Sequence, residues 1–172
     1  TDFDLKSHQK YSGKKLQYFD PEINESYIPY VVETAIGLDR MFLAVLSHAF
    51  CEEHLEDGGS RIVLKIPPVL SPIKAAILPL TKKDGLPEKA REIMRSIQME
   101  FNCQYEEKDS IGKRYRRQDA IGTPLCITID HQTLKDYTVT VRDRDTMNQK
   151  RVSVESLCSM ISEKVSMSHF LS

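Results

Sequence analysis

Two adjoining stretches, Ile73–Leu80 (IKAAILPL) and Pro87–Phe101 (PEKAREIMRSIQMEF), decide the fold class of this chain. The first is almost continuously apolar, the mark of a strand buried on both faces in a parallel sheet. The second opens with a proline, well tolerated at the first helical position. It then places Ala90, Ile93, Met94, Ile97 and Phe101 at three- and four-residue steps, so one helix face turns inward. A buried strand followed by an amphipathic helix is half of a βαβ unit, and the alternation continues. Residues 103–107 fit a short strand and Ser110–Asp119 a basic helix. Leu125–Ile129 (LCITI) is a second apolar strand, and Thr138–Arg142 can pair with Arg151–Val154 across the loop DRDTMNQK. Leu157, Ile161 and Val165 mark a last helix over about Val154–Met167. This order predicts an α/β domain of three layers, a mixed, mostly parallel sheet flanked by helices.

Upstream the character changes. Residues 1–27 are polar, with a turn at Asp20-Pro21, and predict irregular structure. Residues 28–34 read as a strand. From Leu38, the positions Leu38, Met41, Phe42, Val45, Leu46, Ala49 and Phe50 predict an amphipathic helix reaching His54 or Leu55, broken by Asp57-Gly58-Gly59. Gly58-Gly59-Ser60 is the expected domain boundary, separating residues 1–57 from 60–172. Arg61–Ile66 is a short strand ended by Pro67-Pro68.

Composition narrows the functional classes. The 172 residues are 40% hydrophobic and 28% charged with a net charge of -1, ordinary for a globular protein. A net charge so close to zero means that any nucleic-acid contact is local rather than a general electrostatic affinity. No run approaches a membrane span. The four cysteines form no CxxC pair and predict a reduced, cytoplasmic setting rather than a disulfide framework. His48, Cys51 and His54 stand three residues apart, steps that drift about 60° each around a helix, so no metal site is expected. The chain starts at Thr1 and carries no leader pattern, which predicts excision from a longer protein. A Gly-rich phosphate loop, a nucleophile elbow and HExxH are all missing.

Two constellations could carry chemistry. In IPYVVETAIGLDRMF (Ile28–Phe42), Gly37 would allow a tight turn from strand to helix, and Arg40 sits in the first helical turn. A guanidinium there, beside free backbone amides, suits phosphate oxygens, and Glu33 could hold an ammonium. The same residues also fit a helix cap with a surface salt bridge. In GKRYRRQDAIGTP (Gly112–Pro124), Lys113, Arg114, Arg116 and Arg117 surround Tyr115, which suits phosphate contacts combined with base stacking. A solvated helix face balanced by Glu106, Glu107 and Asp109 is the other reading. Arg142 and Arg144 could extend the basic surface.

On these residues the chain resembles a known family. YIPYVVETAIGLDR is similar to motif 3 of class II aminoacyl-tRNA synthetases, a strand followed by a helix opened by G-x-x-R. DFDLKSHQKYSGKKLQYFDPE, SPIKAAILPL, RYRRQDAIGTPLCITID and VTVRDRDTMNQKRV resemble the homodimeric glycyl-tRNA synthetases, and together cover almost the whole chain. The resemblance implies that residues 1–57 end a catalytic domain and that 60–172 form an anticodon-binding domain. It implies Arg40 as a contact of the ATP γ-phosphate and Glu33 as a ligand of the glycine ammonium, with Gly37 and position 35 lining the pocket. The family has a serine where this chain has Ala35. The implied reaction activates glycine with ATP, assisted by Mg²⁺, and passes it to tRNA. Motifs 1 and 2 are not in this chain, so it is expected to be inactive alone and to bind no tight cofactor. Lys113, Arg114, Tyr115, Arg116, Arg117, Arg142 and Arg144 are the expected contacts to the anticodon stem-loop. The alternative is a non-catalytic accessory protein of the kind found beside organellar DNA polymerases, which shares the synthetase-like domain.

Overall fold

The computed structural model describes residues 1–55 and 58–171, the side chains of residues 169 and 170 excepted. The predicted helix break at Asp57 therefore lies outside the described residues. The chain divides into two compact units, Thr1–Met41 and Phe42–Ser172, whereas the sequence-based boundary stands at Gly58–Ser60.

In the first unit, residues expected to be irregular form helix α1 (Phe3–Ser12) and a hairpin of β1 (Tyr18–Asp20) and β2 (Glu25–Tyr27). Local interactions rather than an apolar stripe hold α1. Lys6 pairs with Asp2 one turn away, and Gly13, at φ 67°, closes the helix by donating its N–H to the Gln9 carbonyl. In the hairpin Tyr18 and Tyr27 face each other edge to face at 5.9 Å. The strand expected at 28–34 does not form. Among the described residues its backbone hydrogen-bonds to the N-terminus, through Val31 N–H to the Thr1 carbonyl at 2.8 Å and the Thr1 ammonium to the Val31 carbonyl at 3.3 Å. An apolar run without a partner ladder is no strand.

Helix α2 (Leu38–Ala49) runs across the division between the units. It stops before the predicted end: Phe50–His54 is strand β3, paired antiparallel with β4 (Ser60–Leu64). The reason is cross-strand chemistry. Period two sends Cys51 and Glu53 to the packed face, where Glu53 stands opposite Arg61 and Cys51 opposite Val63. Phe50, Glu52 and His54 point outward. Cys51 and His54 thus fall on opposite faces of a strand. Lys65 N–H, donated to the Ala49 carbonyl at 2.7 Å, fastens the end of α2 to the far end of the hairpin.

The rest of the second unit is the predicted three-layer α/β domain. The elements are β5 (Ala75–Pro79), α3 (Leu86–Ile97), β6 (Cys103–Tyr105), α4 (Ile111–Ile121) and β7 (Leu125–Ile129). After them come α5 (Thr133–Asp136), β8 (Thr138–Asp143), β9 (Gln149–Ser153), α6 (Leu157–Val165) and α7 (Met167–Leu171). The sheet order is β6-β5-β7-β8-β9, parallel at β6-β5 and β5-β7 and antiparallel at β7-β8 and β8-β9. β4, the short strand expected over 61–66, belongs to the separate two-stranded sheet.

Alternation in β5 and β7 splits the core. Ala75, Ile77, Leu125, Ile127 and Ile129 face Leu86, Ala90, Ile93 and Ile97 of α3 and Leu157 and Ile161 of α6, all buried. Each fully buried Leu or Ile stabilises by about 1.5–3 kcal/mol. Ala76, Leu78 and Cys126 face the other way, where Ile111 and Tyr115 of α4 cover them. Burial raises the Cys126 thiol to about 12, so it behaves as a small apolar group. Among the described residues, no helix is long and apolar enough to cross a membrane.

Candidate nucleic-acid interface

The basic segment forms α4 as expected, but its cations part company by helical phase. Arg114 turns inward. Its guanidinium donates to the carbonyls of Pro79 (2.6 Å) and Leu80 (3.3 Å) at the end of β5, and to that of Glu106 (3.2 Å). Burial lowers its pKa, a cost of using a cation to satisfy the last carbonyls of a parallel strand. Tyr115 also packs inward, its hydroxyl 2.7 Å from Thr128 Oγ1, and burial raises its pKa.

The two hairpin arginines are interior too. Arg142 lies over the Tyr115 ring at 4.8 Å and grips Asp119 with two hydrogen bonds of 2.8 and 3.0 Å. Burial works against its charge, yet Asp119 raises its pKa on balance. Arg144 donates to the carbonyls of Leu64 and Ile66, which close the β4 side, and to that of Gly122. The sequence does not mark Arg61, which completes the cluster: its guanidinium reaches Asp119 at 2.9 Å, the Arg144 carbonyl at 3.1 Å and Glu53 at 2.6 Å. Arg114, Arg142 and Arg144 are thus corrected from surface contacts to framework. Each is buried and donates to protein acceptors, and one face of the Tyr115 ring lies beneath Arg142.

What remains exposed is a row on the outer side of α4. Lys113 and Arg116 are exposed and have no hydrogen-bond or ion-pair partner among the described residues. Arg117 is exposed but tethered, to Glu106 at 2.6 Å, Asp109 at 3.0 Å and the Lys108 carbonyl at 2.7 Å, contacts that raise its pKa. Arg114 holds the first half of α4 at the end of β5, so this row begins beside the loop that carries exposed Lys82 and Lys83. Exposed His131 and Lys135 follow β7 in the same way. Sequence reasoning passed over these four because they are scattered. The signal is topological, since open α/β sheets present ligand surfaces at the carboxyl ends of their parallel strands.

In the first unit Glu33, Ala35, Gly37 and Arg40 are exposed, and the side chains of Glu33 and Arg40 have no partner among the described residues. Gly37 does not adopt a left-handed backbone, and an added Cβ there would meet only the Arg40 side chain at 3.9 Å, so the turn does not demand glycine. Among the described residues no group of three or more His, Cys, Asp or Glu side chains could hold a metal ion. No residue grouping among the described residues fits Mg²⁺.

Fold and surface together define a mixed α/β module with an exposed cationic row on α4. The chain belongs to the anticodon-binding domain family, whose model matches residues 74–164. It is 55% identical over 165 residues to a glycine–tRNA ligase of Clostridium tetani, and 54% identical to one of Clostridium acetobutylicum; each match covers 96% of this chain and 35% of the relative. A glycine–tRNA ligase of Chlorobaculum tepidum is 52% identical over the same shares. The chain therefore spans about a third of the length of these curated relatives. The RNA-binding domain of threonyl-tRNA synthetase from Cryptosporidium parvum superposes with a TM-score of 0.53 at 24% identity. That match covers 58% of this chain and 25% of the other, and shows the shared fold.

Proposed function

We propose that this chain is the tRNA-binding, C-terminal part of a glycine–tRNA ligase, residues 60–172 forming its anticodon-binding domain and residues 1–57 the end of its catalytic domain. The observation that carries the reading is the unpartnered cationic row, Lys113 and Arg116, on a helix of a domain that belongs to the anticodon-binding family. RNA phosphates would meet this row, Arg117 and the Lys82-Lys83 loop, while Arg61, Arg114, Arg142 and Arg144 keep the platform stiff. The glycine–tRNA ligase relatives favour this reading over an accessory protein.

In the intact ligase, glycine would attack ATP to give an adenylate, and the glycyl group would then pass to tRNA. Arg40 would offset γ-phosphate charge, and Glu33 would hold the glycine ammonium, with Ala35 and Gly37 beside it. Mg²⁺ would be held by residues other than those described here. A cytoplasmic homodimer is the assembly we infer for the whole enzyme. Without the rest of that site, this chain would bind RNA and not activate glycine.

The test is filter binding of the chain to tRNA with a glycine anticodon across salt concentrations. Lys82→Ala/Lys83→Ala and Lys113→Ala should each weaken binding, and each lost phosphate contact should reduce the slope of log affinity against log salt by about 0.7–1. An unchanged slope and affinity in both variants would refute the assignment.

A further inference from the structure

On the sheet face opposite α4, between α6 and the β8–β9 hairpin, lies a hollow of about 350 Å³. That volume stands at the small end of ligand sites, room for one ring and a small polar group. Register builds its floor. Leu125 and Val141, 4% and 2% exposed, belong to the main core, and their antiparallel partners are Asp143 and Lys150. Directly opposite residues share a face, so Asp143 and Lys150 rise from the floor's own side of the sheet. Along β9, Val152 packs on the core, and Lys150, two residues earlier, continues that row to the rim. The far wall is α6. Ile161 is fully buried in the core, while Met160, Glu163 and Lys164, three and four residues apart, share the flank that borders the hollow.

The polar groups of the rim divide into occupied and free. Asp143 is occupied: one oxygen takes Lys164 Nζ at 2.8 Å. The other accepts from the N–H groups of Asp145 and Thr146, each at 3.0 Å, and from the Thr146 hydroxyl at 3.1 Å. Burial works against its charge, yet Lys164 and Thr146 lower its pKa on balance. The contact also fixes Lys164 in place, and an ammonium has three donors, of which this ion pair uses one. The side chains of Lys150 and Asn148 have no partner among the described residues. Donors therefore predominate among the free groups, and they stand beside an apolar floor. Such a rim suits an anion with an apolar body. Glu163, exposed at the same rim, favours one negative charge over two.

We propose that this hollow binds a small organic monocarboxylate whose apolar body is about the size of one aromatic ring. Leu125, Val141 and Met160 receive the body, and Lys150, beside the ion-paired Lys164, receives the carboxylate. The site lies across the sheet from the α4 row and is independent of RNA binding there.

The experiment uses the whole chain with carbon-13-labelled methionine methyl groups, titrated with phenylacetate, phenylacetamide and acetate and followed by NMR. The Met160 signal is assigned by its loss in Met160→Leu. Phenylacetate should shift that signal saturably, with a dissociation constant of about 1 mM for a ligand of this size. Phenylacetamide, of the same shape but uncharged, should bind about tenfold more weakly, as loss of a charged hydrogen bond implies. Acetate, which lacks the apolar body, should not saturate the signal over the same range. Lys150→Met keeps the apolar stem and should bring phenylacetate within about threefold of phenylacetamide, the ammonium being the group removed. Met160→Phe should fill the hollow and abolish the response of the floor, read from the labelled methyl groups of Val141 and Leu125. Lys150 is exposed, so far-UV circular dichroism of its variant should match the parent. An unmoved Met160 signal, equal binding of phenylacetate and phenylacetamide, or a preference that survives Lys150→Met overturns the site.

Discussion

Asp119→Asn should be among the most damaging single changes in the second unit, although it removes no atom of bulk. Asp119 is 1% exposed and receives Arg142 through hydrogen bonds of 2.8 and 3.0 Å and Arg61 through one of 2.9 Å. Those arginines are themselves 6% and 3% exposed. Asparagine keeps the shape but turns an amide toward donor-only guanidiniums and leaves one buried positive charge unmatched. Breaking a buried pair in this way costs about 3–5 kcal/mol, against about 5–15 kcal/mol for a whole domain. At an unfolding entropy of about 2.1 cal/mol/K per residue, that is a fall in Tm of about 10–18 °C. Thermal unfolding followed by circular dichroism at neutral pH measures it. A triple variant, Arg61→Met, Asp119→Leu and Arg142→Met, removes the buried charges together. Glu53 then keeps Lys65, 2.5 Å away, so the triple should recover most of the loss. A Tm within about 2 °C of the parent for Asp119→Asn, or a triple less stable than the single variant, would refute the reasoning.

Gly122→Ala should destabilise by about 2–5 kcal/mol, a left-handed residue and a core clash together. Gly122 sits at φ 82°, and an added Cβ would lie 2.9 Å from Ile66 Cγ1 and 3.0 Å from the Leu64 carbonyl oxygen. A urea midpoint matching the parent's would contradict this. Asp130 predicts the acid response. Hydrogen bonds from Arg151 of 2.6 and 2.8 Å, outweighing burial, hold its carboxyl at about 2 against an ordinary 3.8. The unfolded chain therefore binds the proton more readily, and this contribution is complete above about pH 4 and lost as pH falls through 2. Asp130→Asn should flatten the stability slope between pH 4 and 2. A slope equal to the parent's would exclude Asp130 as a source of acid sensitivity.

Wherever burial on two faces or helical periodicity governed a segment, the sequence was readable. β5 and β7 are apolar runs because helices cover both sides of the sheet, and α3 shows its inward row because one side of it meets solvent. The failures have other causes. α1 is held by a salt bridge and a glycine cap, which leave no apolar period to detect. Phe50–His54 continues a helical pattern for one more residue, Phe50, yet the ion pair of Arg61 with Glu53 lies across a turn that periodicity does not see. Ile28–Thr34 has strand composition, and composition without a partner ladder does not make a strand.

The basic segment was legible in kind but not in allocation. Four cations within five residues announce an interface, yet at about 100° per residue they cannot share one side of a helix. Arg114 and Gln118, one turn apart, take the sheet side. Lys113, Arg116 and Ala120 take the outer side. Which side faces the sheet depends on the carbonyls waiting at the end of β5 and on Asp119 meeting Arg61 and Arg142, partners distant in the chain. The two allocations are coupled. A cation free to meet RNA needs a helix that does not shift under the load, and the inward guanidinium of Arg114 anchors that helix to two strand-end carbonyls. In the proposed RNA-binding mode, the buried arginines are therefore the reason that the exposed cations can be held in place to meet a phosphate backbone.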